Sequence, residues 1–374
     1  MSASTRRSIT IGSATALICL AMFASGCTSS PTAPTTTTNP PTTATSAPVT
    51  TTAPSATAPS TTAPSASAAG CDFAPNYPKG PIEFIVPWAA GGGTDAVARV
   101  IAASLSKQLG VQVNVVNRTG GAGVIGHDAM RTAKPDGQSF GLATAELAMM
   151  HWQGLTAMTY KDFTPISLMN ADHSAISVKA GGQWTSVKAL LDYIKANPGK
   201  LKASGTATGG IGHLGMIGVL MAMGLPVDSV TWVPSDGAAP AVQELVSGGV
   251  DFVVTSSPAE VKAQTEAGAV KPLAVLNDVA DPNFPNIPTL KAETGKSYIF
   301  GTWRGIVGPK GMDQNVVNEL QCYLSQTIKE ADFTSLMAKS GYGIQYLNAA
   351  DFASFLAQQD TQMGDVMAAA GLKK

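Results

Sequence analysis

The stretch Ile82 to Asp95, IEFIVPWAAGGGTD, decides the fold. Ile82 to Pro87 is rich in β-branched and apolar residues, the pattern of a buried strand. Gly91, Gly92 and Gly93 break it, and Thr94 and Asp95 open a helical pattern. A strand that ends in a glycine turn and feeds a helix is a place to hold an anion. The first backbone N–H groups of a helix have no internal partner, and the helix dipole puts partial positive charge there. Glycine lets the backbone approach a ligand closely. The stretch points to capture of a carboxylate, in a protein that binds and does not catalyse.

Outward from this turn the same alternation repeats. Val97, Val100, Ile101, Leu105 and Leu109 share one helical face, and Gly110 stands where a C-cap belongs. Val111 to Val116 alternates as a short strand. Asn117 to Gly126 is a second glycine turn, entering a helix over 124–132, and Ser139 to Thr144 is a further strand. Beyond Val187 the pattern resumes: helix 187–196, strand 201–204, and a third glycine turn, Gly205 to Gly212, before a helix over 213–223. Strands at 230–233, 251–255 and 271–276 alternate with helices at 239–246 and 258–267, and residues 315–372 are mostly helical. Successive strand–helix units imply an α/β chain with parallel sheets covered by helices. Ligands in such folds sit outside the carboxyl ends of strands. Glycine turns in both halves suit a cleft with one lobe on each side.

The chain has 374 residues, room for two domains. A formal net charge of −1 leaves no basic field for nucleic acid. Only 13% of residues are charged, so an anion site must lean on backbone N–H groups, hydroxyls and helix ends. Enzyme patterns are weak: the GxSxG spacing at Gly137 to Gly141 enters the Ser139 to Thr144 strand instead of leaving a strand for a helix, no GxxxxGK[ST] loop occurs, and GGGTDA is not GxGxxG. Four His without a carboxylate cluster make a poor metal site, and no cofactor is expected.

Arg6 and Arg7 precede an apolar run, Ile9 to Phe23, followed by Ala24-Ser25-Gly26-Cys27. This is the order of a secretory signal over residues 1–26. The run is short against the roughly 20 apolar residues of a spanning helix. Cys27 after small residues resembles a lipobox cysteine, with Ala24 where Leu is usual; the alternative is an ordinary cleaved signal. Residues 27–76 are dominated by Thr, Pro, Ala and Ser. Such a segment cannot bury enough surface to offset its ordering entropy and reads as a lipid-anchored tether, suited to O-glycosylation. Cys71 and Cys322 remain for the folded part, as one disulfide or two separate thiols.

Six segments, in order, resemble the substrate-binding proteins of tripartite tricarboxylate transporters, the TctC or Bug family. They are Pro87 to Asp95, Val116 to Gly123, Lys134-Pro135-Asp136-Gly137, Ser204 through Leu214, Val233 through Asp251, and Pro285 to Thr289 with Glu293. The resemblance covers nearly all of Tyr77 to Lys374. It implies a two-lobed periplasmic-binding-protein fold of type II-like form. Lobe 1 would be 77–181 plus 301–374, and lobe 2 would be 182–300. It implies extracytoplasmic capture of a small carboxylated solute, by a monomer anchored to the outer face of the cell membrane, for ion-driven permease subunits. A solute-sensing receptor for a membrane kinase is the alternative; a secreted hydrolase fits less well. The chain departs from the family at Trp88, where Phe or Tyr is common, at Val116, where Glu is usual, and at Asn277-Asp278. Ser235 and Asp236 replace a Tyr and a Lys, and an acidic Asp236 weighs against a tricarboxylate.

The expected ligand contacts come from both lobes. Trp88, Ala90, Gly91, Gly92, Thr94, Asp95 and Thr144 form one jaw. Ser204, Gly205, Thr206, His213, Ser235, Asp236 and Thr255 form the other. Asp95 stands either as a helix cap or as an acceptor for a ligand amine or hydroxyl. Asn117 to Gly123 reads as structural.

Overall fold

A computed structural model describes residues 70–374; the signal, the lipidation at Cys27 and most of the tether lie outside the described residues. Strand β1, Ile82–Val86, buries every residue but Glu83. Helix α1, Gly93–Leu109, follows it and turns Val97, Ile101 and Leu105 inward, as its apolar spacing requires. Strand β2, Val113–Asn117, returns parallel to β1. Helix α2, Val124–Thr132, then leads to β3, Ser139–Thr144, parallel to β1 on its other side.

Two antiparallel strands complete this first sheet. They are β4, Phe163–His173, and a strand from much later in the chain, Gly301–Pro309. Between them the chain builds a second sheet. It contains β5, Ala175–Lys179, helix α3, Val187–Ala196, and β6, Leu201–Ser204. Helix α4, Ile211–Ala222, β7, Val230–Trp232, and helix α5, Ala238–Ser247, come next. Then come β8, Phe252–Thr255, helix α6, Lys262–Glu266, β9, Val270–Val275, and helix α7, Leu290–Thr294. The late strand, β10, precedes helices α8, Gln314–Thr327, α9, Ala331–Ser340, and α10, Ala349–Ala369. Strand orders are β2-β1-β3-β10-β4 and β7-β6-β8-β5-β9.

Two expectations are corrected. The sheets are mixed, since β10 runs antiparallel to β3 and β4, and β5 runs antiparallel to β8 and β9. The chain also changes sheets at Ser174 and not after residue 181, because β5 already belongs to the second sheet. Pro165 and the polar Asn170 and Asp172 disguise β4 as irregular; proline is tolerated there because β4 is an edge strand.

The crossing is stitched by backbone. Ser174 N–H donates to Phe300 O at 2.8 Å, Phe300 N–H to Leu276 O at 3.0 Å, and Leu276 N–H to Ser174 O at 2.7 Å. Helix α10 packs on β4 of one sheet and α4 of the other, so it spans both lobes. Trp303 is buried beside the crossing, with Phe352 and Phe355 edge-on to it at 5.8 Å. Among the described helices, none is long and apolar enough to cross a membrane.

Cys71 and Cys322 form a disulfide that ties the start of the described chain to α8, 251 residues away. Closing so long a loop restricts the unfolded chain. The Cys71→Ser/Cys322→Ser double variant is expected to lose about 2–4 kcal/mol of unfolding free energy, read as a lower urea midpoint at unchanged slope.

Candidate functional site

The turn after β1 is built around a carboxylate. Asp95 lies in the first turn of α1 and is buried. Its Oδ2 accepts from the Gly91 N–H and from Arg99 Nε, each at 2.9 Å, and its Oδ1 accepts from Arg99 Nη2 and Asn117 Nδ2, each at 2.9 Å. Asn117 also donates to Trp88 O at 2.9 Å, which fastens the end of β2 to the first glycine turn. Hydrogen bonds from Arg99, with lesser help from Gly91 and Asn117, outweigh burial and hold the Asp95 carboxyl down at about 2. The Asp95 carboxylate is thus bonded within the loop on both oxygens. It is a clasp that shapes Gly91, which sits at φ 83°, a conformation suited to glycine.

The hydroxyls of the first lobe are not equivalent. Thr144, at the end of β3, accepts from Trp88 Nε1 at 3.1 Å and donates to Glu146 Oε2 at 2.5 Å, so its single hydrogen is used. Its N–H donates to His127 Nε2 at 3.3 Å, while His127 Nδ1 lies 2.8 Å from Gly123 O. Because a carbonyl only accepts, Nδ1 carries the proton. Complete burial pushes His127 down to about 4 and keeps it neutral. Thr94 differs: it accepts from Arg304 Nε at 3.2 Å, which leaves its O–H free to donate.

Arg304, on β10, was not anticipated. It is buried, donates to Asn170 Oδ1, pairs with Asp172 Oδ2 at 3.2 Å, and lies over the Tyr342 ring at 4.6 Å. Asp172 also accepts from Gly343 N–H at 2.7 Å. Burial raises the Asp172 carboxyl, against the pull of Arg304. The available signal was one arginine inside an otherwise uncharged strand, TWRGIVG.

In the second lobe Ser204 ends β6, fully buried, with no partner for Oγ among the described residues. Gly205 passes so close to Val254 O that a Cβ could not fit. Thr206 O accepts from Ser235 N–H at 3.1 Å and Trp232 Nε1 at 3.2 Å, joining this loop to the one after β7. His213 Nδ1 accepts from Gly209 N–H at 3.0 Å, and its ring lies 4.9 Å from that of Trp232. Burial lowers its pKa, so it buttresses the loop as a neutral ring. Thr255 donates to Ser257 O at 2.9 Å and Ser235 to Gly237 O at 2.8 Å. Those hydrogens, like that of Thr144, serve the loops and are not free for a ligand. Asp236, Ala90, Gly91 and Gly92 are exposed.

The expected residues thus gather at the carboxyl ends of β1 and β3 in one sheet and of β6, β7 and β8 in the other. Gln153 Nε2 donates to Gly209 O at 3.2 Å and links the two loop sets. Four of the ten α-helices among the described residues carry a side-chain N-cap and six, including α2, α6 and α9, do not. α3, α7, α8 and α10 start on Ser186, Thr289, Asp313 and Asn348, whose side chains accept from the first turn. α1, α4 and α5 start on Gly92, Gly210 and Gly237 with no side-chain cap. Among the described residues the N–H groups of Gly93 and Thr94 in α1 and of Ile211 and Gly212 in α4 have no partner and stay available to an anion, whereas His213 N–H donates to Thr206 Oγ1 at 3.4 Å.

A family model for the tripartite tricarboxylate transporter family receptor, TctC, matches residues 97–372. Protein BugT of Bordetella pertussis is 30% identical over 275 residues, 72% of this chain and 82% of that protein. A TctC solute-binding protein from Polaromonas, solved without ligand, is 32% identical with a TM-score of 0.72, over 78% of this chain and 99% of that one. The R. palustris protein Rpa4515, solved with adipate, is 25% identical with a TM-score of 0.64, over 79% and 98%. These relatives are extracytoplasmic solute receptors with a two-lobed fold, not enzymes.

Asp95→Asn should lower unfolding free energy by about 2 kcal/mol at neutral pH, the scale of hydrogen bonds to a charged group. The folded-state pKa is depressed, so the contribution is present above about pH 4 and is lost as pH falls toward about 2. Denaturation curves of the two proteins should therefore converge over that window.

Proposed function

The chain belongs to the tripartite tricarboxylate transporter receptor family, and we propose that it captures a small carboxylated solute between its lobes for permease subunits in the membrane. The jaws are residues 77–174 with 301–374, and residues 175–300. Cys27 carries a lipid anchor, and the Thr/Pro-rich segment ahead of Cys71, which is itself buried and bonded to Cys322, holds the receptor off the membrane surface.

One observation carries this reading: α1 and α4 start on uncapped glycines at strand ends of opposite sheets. Each offers unpaired N–H groups and the positive end of a helix dipole to a shared anion. Thr94 adds a hydroxyl whose hydrogen is free. Each donor to a charged oxygen contributes about 1.5–3 kcal/mol, so a few suffice for a carboxylate without a direct lysine. Adipate in the R. palustris relative is a solute of this kind.

A thermal-shift screen of residues 70–374 against mono-, di- and tricarboxylates tests the proposal. A true ligand at about 100 times its Kd adds about 2.7 kcal/mol. Thr94→Val should weaken that ligand about tenfold, the loss of one hydrogen bond, beyond any lowering of the apo melting temperature that follows from leaving Arg304 Nε without its acceptor. No response to any carboxylate would contradict the assignment.

A further inference from the structure

A cavity of about 200 Å³ lies where Ser256 and Ser257, after β8, face Asp172, Arg304 and Tyr342 of the other lobe. It adjoins the first jaw, since Arg304 touches Thr94. Three charged groups line it: Arg304, Asp172 and Glu260. Arg304 spends Nε on Thr94 and Nη1 on Asn170 and Asp172. Its Nη2 edge has no partner among the described residues, so two donors of the fork remain. Asp172 already offsets its charge at 3.2 Å. Glu260 takes the Ser256 N–H at 2.7 Å and forms no ion pair with any described residue.

We propose that this cavity reads the end of the ligand distal to the captured carboxylate, and that it favours an uncharged oxygen there over a second carboxylate. The inference rests on the carboxylate-capture reading of the same cleft. The Nη2 edge donates to an amide carbonyl, ketone or hydroxyl. A second carboxylate would be the third anion around one cation, facing Asp172 and Glu260 across a small, partly desolvated space. Like charges so placed repel more strongly than in bulk water. Arg304 is on this view a specificity-determining residue, and Glu260 is the counterweight that rejects diacids.

The test is calorimetric titration of the protein with matched pairs of equal length: succinamate and succinate, glutaramate and glutarate, adipamate and adipate. The half-amide should bind about tenfold or more tightly than its diacid at the length that fits. Glu260→Gln keeps the acceptor for the Ser256 N–H and removes the charge, and should narrow that ratio by about tenfold. A diacid that binds as well as its half-amide at every length, or a ratio unchanged in Glu260→Gln, overturns the inference and leaves carboxylate capture standing. Failure of every compound, simple monocarboxylates included, overturns both.

Discussion

The Asp95 carboxylate sets the geometry on which the candidate site depends. Four N–H donors converge on it from Gly91, Arg99 and Asn117. Without it, the loop backbone at Gly91 would lose its anchor between the end of β1 and the start of α1. The clasp also joins β2 to the turn, because Asn117 bonds both Asp95 and Trp88 O. An ionised carboxylate used this way organises the loop from within. The loop's outward N–H groups are then free for a ligand.

The same division of labour runs through both lobes. Side chains that look available in the sequence are mostly turned inward: Thr144 to Glu146, Thr255 to Ser257, His213 to Gly209. What faces outward is backbone at glycine-started helices, with the Thr94 hydroxyl, the exposed Asp236 and the Nη2 edge of Arg304 beside it. This suits a chain with few charges. Burying a full positive charge in the cleft would cost desolvation, whereas N–H groups of a formed helix are already oriented. Arg304, the one buried arginine among the described residues, is balanced by Asp172 and bonds Thr94.

The strand–glycine–helix units were legible because their signals are local. Apolar runs, glycine turns and helical spacing all fall within 82–144 and 187–276. The crossing between the two sheets was not legible. β4, β5 and β10 pair with strands far away in sequence, and β4 and β10 carry the polar cluster that an isolated strand would avoid. Arg304 and Asp172 lie 132 positions apart, and nothing in spacing links them. Asp95 shows a different limit. Its position beside the glycines was visible, but whether its carboxylate faces a ligand or the loop depends on Asn117, which only the fold brings near.

The central claim is that backbone N–H groups of opposite lobes hold one carboxylate. Amide NMR shifts during titration with the ligand found by screening test it most directly. The account predicts that Gly93 and Thr94 at the start of α1, and Ile211 and Gly212 at the start of α4, move downfield together along one binding curve. Shifts confined to one of these helix starts, or centred elsewhere while both stay unmoved, would contradict it.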